Sequence, residues 1–239
     1  WIRECESVML FDFSPTEWQA IGLSIKVSLV ATLCSLPFGI LVAYALARWH
    51  FFGKQVLNGL VHLPLVLPPV VTGYLLLVVF GTRGPIGGVL QDWGLVFAFR
   101  WTGAVLAAAI MAFPLMVRAI RLSIDAVDPK LEQAASTLGA SRPWVFITIT
   151  LPLTLPGILA GGVLAFAKAL GEFGATITFV SAIPGQTQTV PSAIYALLQV
   201  PGQETAALRL VLVSVVLAMG ALLLSEVLAR RASNRTGGA

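Results

Sequence analysis

The chain holds 239 residues, 57% of them hydrophobic and only 11% charged, with a net charge of +4. A soluble domain carries about 25% charged residues, so a wholly water-facing surface is excluded and part of the solvent must be lipid. The length bounds the protein to a single membrane domain, residues 1–239. Its basic residues are scattered between apolar runs, which excludes a nucleic-acid binder and fits a charge bias set by membrane orientation.

A helix crosses the hydrocarbon core with about 20 apolar residues. In chain order, five stretches meet that length: 18–47, 57–80, 101–122, 149–170 and 206–228. The pattern predicts an all-α integral membrane protein, a polytopic helical bundle. A further apolar patch at 175–183 is too short to cross alone, and Pro184-Gly185 and Pro191 break it from the apolar run 190–200. The two predict a broken or re-entrant sixth element. Such backbone is tolerated at membrane depth only where it is buried in protein or lines a cavity.

Charge between the spans orients them. One side carries Arg48, Lys54, Arg118, Arg121, Lys130, Arg142, Arg230, Arg231 and Arg235; the other carries Arg3, Arg83, Arg100 and Arg209. The positive-inside rule places the richer side in the cytoplasm, giving five spans an outside N-terminus and a cytoplasmic C-terminus. The acidic start, with Glu4, Glu6, Asp12 and Glu17, agrees. Trp18, Trp49, Trp93, Trp101 and Trp144 fall near predicted span ends, at headgroup level. Lys26 is expected to snorkel. Lys168 and Glu172, four apart, are expected to form a wet pair at the outer end of a span, and Gly157 and Gly161 to pack helices closely.

Several classes of chemistry have no carrier here. Cys5 and Cys34 make no disulfide framework, His50 and His62 lack metal-ligand spacing, and no cofactor is expected. No G-x-x-x-x-G-K-[ST] run occurs, so this chain holds no nucleotide through a P-loop. The spans contain neither the paired carboxylates of a proton-coupled carrier nor a polar catalytic cluster.

The longest loop on the basic side, about 124–148, is the most informative segment. Asp128 is a good N-cap, Pro129 suits the first helical position, and Gly139 suits a left-handed terminator. Between them Leu131, Ala134, Ala135 and Leu138 form an i, i+3, i+4, i+7 stripe. A helix of about ten residues is marginal alone and needs a partner surface. The stripe by itself fits packing on the chain's own bundle or on the membrane surface.

The spacing around the stripe adds to this. Gln133-Ala134-Ala135, three residues, Gly139, nine residues, then Ile149-Thr150-Leu151-Pro152 resembles the EAA loop of ABC-importer permeases. Every interval matches; the family's Glu is Gln133 here, with Glu132 one place earlier. The resemblance implies that this helix docks on an ATP-hydrolysing subunit, with Gln133, Ala134, Ala135, Leu138 and Gly139 as coupling residues.

Leu63-Pro-Leu-Val-Leu-Pro-Pro-Val-Val71, Gly171-Glu-Phe-Gly-Ala-Thr-Ile-Thr-Phe179 and the run from Pro184 to Tyr195 are similar to the molybdate permease family. Sulfate and thiosulfate permeases share part of this pattern and are the alternative; a secondary anion carrier would not need the loop. The resemblance implies a membrane permease of the type I importer kind and no enzyme activity in this chain. It implies as partners a second copy, two ATP-binding subunits and a periplasmic or extracellular oxyanion-binding protein, and as location the cytoplasmic (inner) membrane. The Gly- and Thr-rich run beginning at Gly171 is expected to line the oxyanion's path through Thr176 and Thr178.

Overall fold

The computed structural model describes residues 13–236, so Cys5 and the acidic residues before Phe13 lie outside it. All regular structure among the described residues is helical. A 34-residue helix, α1 (Pro15–Arg48), opens the fold. Ser14 and Glu17 cap it reciprocally: the Ser14 hydroxyl accepts from Glu17 N–H, the Glu17 carboxylate accepts from Ser14 N–H, and Pro15 takes the first helical position.

The second predicted span is not one helix. It divides into α2 (Lys54–Val66) and α3 (Pro69–Phe80), bent by 115°. Pro68 and Pro69 together remove two N–H donors, and Leu67, held before a proline, is extended at ψ 144°. The bent pair still reaches from one end of the next long helix to the other. Asn58, near the start of α2, accepts a hydrogen bond from Arg121 in the last turn of the 25-residue helix α5 (Trp101–Asp125). At the far end of α3, Phe80 meets Phe97 edge-on, just before α5 begins. The short α4 (Pro85–Asp92) joins the two at that far end.

The loop helix α6 (Pro129–Thr137) follows. It leads into α7 (Arg142–Leu170), which begins earlier than the sequence indicated and contains one π-turn, Phe146–Thr150. The predicted sixth element appears as two short helices, α8 (Gly174–Val180) and α9 (Val190–Leu197), before α10 (Glu204–Thr236) returns across the bundle.

Helix α5 is the axis. Its small residues Ala104, Ala107, Ala108 and Ala112 are sealed, as are Met116 and Ile120. Helix α1 packs on one side of it and α7 on another, an approach that small residues permit without side-chain interdigitation. Gly157 and Gly161 have the packing role read from their spacing. A Cβ on Gly157 would fall on the Ser123 side chain, and one on Gly161 would sit 3.1 Å from Ile120 Cγ1. Outward faces carry Leu29, Leu33, Val215 and Val216 exposed, as lipid-facing surface requires.

The first and last helices are clasped at the end remote from α6. The Arg209 guanidinium on α10 donates from Nε to Glu17 Oε1 (3.1 Å) and from a terminal nitrogen to Oε2 (3.2 Å), and Glu17 is 4% exposed. Removing one partner of a buried pair leaves the other charge uncompensated, at a cost of about 3 kcal/mol. Glu17→Gln is therefore expected to lower the thermal unfolding midpoint of the detergent-purified protein by several degrees. A midpoint equal to the parent's would mean that the clasp contributes nothing.

Candidate functional site: the loop helix and the half-depth helix

Both sequence signals that bound α6 act as read. Asp128 Oδ1 accepts from Lys130 N–H (2.9 Å). At the other end Gly139 has φ +88°, and the N–H groups of Gly139 and Ala140 return to the carbonyls of Ser136 and Ala135, each at 3.1 Å. These are the crossed bonds of a left-handed terminator, which satisfy carbonyls that the helix end would otherwise leave open.

What the chain does not supply is a cover for the apolar stripe. No residue of α6 is buried. Leu131 is 48% exposed, Leu138 is 89% exposed, and Ala134 is open, with Ala135 half-buried. The reading that the stripe packs on the chain's own bundle is thereby excluded.

The opposite face of α6 points back at the body. Pro129, Glu132, Gln133, Ser136 and Thr137, again at helical spacing, wall a cleft of about 860 Å³ against the end of α1 and the start of α7. The five residues expected to couple to an ATPase thus divide. Ala134, Ala135 and Leu138 share the stripe's side and Gly139 ends the helix, while Gln133 lies on the cleft side.

Sequence reasoning missed what holds α6 in place. The Glu132 carboxylate accepts from Arg48 Nε at 3.2 Å and from the Thr150 hydroxyl at 2.8 Å. Arg48 also donates to the Val127 carbonyl at 2.9 Å. Arg48 and Glu132 have side chains 16% and 17% exposed, and Thr150 is fully buried in the π-turn. One carboxylate therefore joins the last turn of α1, the loop helix and the root of α7. The available signal was Glu132 itself, displaced one place from the family's Glu, and Arg48, which otherwise served only in the charge bias.

The second region is α8. Gly174 abuts Pro69 at the break between α2 and α3, and Gly73 meets Ala175 and Thr178 so closely that an added Cβ would be 2.9 Å from Thr178 Cβ. Further along, Val180 reaches Gly103 at the start of α5. The short helix thus begins beside the broken span and climbs to the end remote from α6. Glu172 organises it: one carboxylate oxygen accepts from Ala175 N–H (3.0 Å) and the other from Lys168 Nζ (2.9 Å). Negative charge at a helix N-terminus complements its dipole. The Lys168–Glu172 pair, expected from its spacing to be wet, is so on one side only: the Lys168 side chain is about a third exposed, whereas Glu172 is 3% exposed. Thr176 is buried at 3% exposure, and the half-buried Thr178 spends its hydroxyl on the Gly174 carbonyl (2.8 Å). Lys26 sits 3.8 Å over the Trp101 ring. Among the described residues no cluster of three or more His, Cys, Asp or Glu is placed to hold a metal ion.

A helical membrane bundle with a broken span, a short buried helix and an anchored loop helix whose apolar stripe is uncovered fits a transport permease. The chain belongs to the binding-protein-dependent transport system inner membrane component family, whose profile matches residues 35–234. Within it, the chain is 65% identical over 222 residues to the molybdenum transport system permease protein ModB of Escherichia coli strain K12, covering 92% of this chain and 97% of that protein. It is 58% identical to ModB of Haemophilus influenzae over the same shares. The fold is also that of a bacterial ABC transporter involved in the import of the acidic polysaccharide alginate. That structure superposes with a TM-score of 0.74 at 22% identity, over 95% of this chain and 82% of that one. At that identity the likeness concerns architecture alone.

Proposed function

We propose that the chain is the membrane permease of an ATP-driven importer that carries molybdate, with tungstate as a congener. It works as a pair of copies with two ATP-binding subunits and an external oxyanion-binding protein, and it hydrolyses no ATP itself. The observation that carries this reading is the uncovered apolar face of α6, held out from the bundle on a capped, anchored helix. Ala134, Ala135 and Leu138 give a face flat enough to enter a groove on the ATPase, and Gly139 fixes where the helix ends. The similarity to molybdenum permeases supports the substrate.

The basic end bearing α6 is then cytoplasmic, and the Glu17–Arg209 clasp faces outward. Closure of the ATPase pair shifts α6. Through Glu132 that shift reaches α1 and the root of α7 as one rigid movement, since packed elements move as units. The path lies along α8 and the broken span, with the half-buried Thr178 on its wall and Thr176, 3% exposed, packed behind it.

The test is uptake of labelled molybdate by cells lacking molybdate and sulfate uptake and supplied with the complete transporter. Uptake that tungstate blocks and excess sulfate does not is the expected result. Displacement by sulfate would reassign the permease to sulfate or thiosulfate, and uptake without the ATPase would make it a secondary carrier. Thr176→Val with Thr178→Val is expected to slow uptake severalfold while the ATPase still co-purifies. Parental uptake by that variant would remove both threonines from the path.

A further inference from the structure

The cleft behind α6 does not end at the polar wall. Around Tyr44, Trp49 and Arg142 it continues into an apolar groove of about 430 Å³ between α1 and α7, lined by Pro37, Ile40, Leu41 and Phe146. The two halves differ sharply in chemistry. The groove holds hydrocarbon surface, whereas the cleft presents Arg48, His50 and Arg142 against one acid, Glu132, already engaged by Arg48 and Thr150. The Arg142 side chain makes no hydrogen bond or ion pair among the described residues.

The dimensions match one leaflet. From Arg48 back to Pro37 along α1 is about 16 Å at 1.5 Å per residue, against a half-thickness of about 15 Å for the hydrocarbon core. Trp49 and Trp144, about half and three-fifths exposed, mark the headgroup level beside the cleft mouth. A basic pocket opening between spanning helices onto an apolar groove of leaflet depth fits a lipid with an anionic head. A free anion would leave the groove empty, and an extended protein segment would need backbone partners that the groove does not offer.

We propose that this cleft binds one anionic glycerophospholipid, its phosphate on Arg142 beside His50 and one acyl chain along Pro37, Leu41 and Phe146. The bound headgroup sits against Gln133 and Ser136, on the face of α6 opposite the alanine stripe. The lipid braces the loop helix from behind while leaving the stripe free. Gln133 is then a residue that meets lipid rather than one that enters the ATPase groove.

Native mass spectrometry of the delipidated transporter complex, titrated with phosphatidylglycerol or phosphatidylcholine, tests this. The parent is expected to bind phosphatidylglycerol at least about tenfold more tightly, because the choline cation of phosphatidylcholine neutralises its own phosphate and is set against the cations of the cleft. Arg142→Gln should erase the preference, and Leu41→Trp, which fills the groove, should weaken both lipids. Lys54→Gln, a cation of the same end outside the cleft, should bind as the parent does. Equal binding of the two lipids by the parent, or an unchanged preference in Arg142→Gln, would overturn the proposal. So would displacement of the lipid by millimolar inorganic phosphate, which would make the cleft a site for a free anion. Leu41→Trp leaves the cations untouched, so it reports on the groove even where Arg142→Gln folds poorly. None of these readouts depends on the transported substrate.

Discussion

Glu132→Gln is expected to reduce substrate uptake by more than about tenfold while leaving the fold of the bundle intact. Gln keeps the size of the side chain and an oxygen for the Thr150 hydroxyl, so the loss is confined to the charge facing Arg48. Arg48 retains the Val127 carbonyl but becomes a largely buried cation without its carboxylate. Breaking a fully buried pair costs 3–5 kcal/mol; with both side chains about one-sixth exposed, about 2 kcal/mol is the appropriate figure, or a factor of about 30 in the equilibrium constant between docked and undocked α6. Because α6 has no buried residue of its own, few other contacts compensate. Hydrogen exchange of the 129–137 amides is expected to accelerate, ATP hydrolysis to persist, and uptake to fall. Arg48→Gln should behave in the same way. The double variant should lose less than the sum of the two, because a neutral pair leaves no stranded charge. Parental exchange rates in Glu132→Gln would show that the carboxylate does not hold the helix.

Much of the fold was legible because membrane crossing imposes a length and a polarity that few other constraints can mimic. The ends of α6 were legible too, since Asp128 and Gly139 are local signals whose geometry needs no tertiary help. The near-identical strings Leu63-Pro-Leu-Val-Leu-Pro68 and Leu151-Pro-Leu-Thr-Leu-Pro156 mark the limit of such reading. The second runs through an unbroken helix, while the first ends in a 115° bend. The difference is the next residue: Pro69 removes a second donor where Gly157 keeps one, and α8 packs into the space that the bend opens. Apolar content alone joined α2 and α3 into one span. The Glu132 anchor was invisible for a different reason. Its partners lie 84 and 18 positions away in sequence, and no periodicity relates them. Gln133 was grouped with Ala134 and Ala135 by motif adjacency. Neighbours in a helix are 100° apart, however, and the turn carries Gln133 to the cleft.

Gly139→Val is expected to abolish coupled uptake, and Gly139→Asn to preserve it within about twofold. Gly139 has φ +88°, and an added Cβ would meet nothing within 4 Å, so neither variant fails by collision. The two differ in how well they tolerate a left-handed backbone. Asn adopts it routinely, whereas a β-branched residue does so only at a cost of about 1–2 kcal/mol. Val either carries that strain or sheds it by giving up the returns to Ser136 and Ala135, each worth about 1 kcal/mol, so the terminator is weakened by a similar amount either way. A helix of nine residues is marginal without its terminator, and the chain leading to Ala140 and the root of α7 leaves in a new direction. The alanine face then no longer meets the ATPase groove while α7 keeps its register, so the two ends of the coupling element are mismatched. ATP hydrolysis that continues without uptake in Gly139→Val, beside near-parental uptake in Gly139→Asn, would assign the requirement to the backbone angle itself. Equal loss in both variants would instead mean that the ATPase surface tolerates no side chain at this position. The helix end would then be an interface contact rather than a conformational stop.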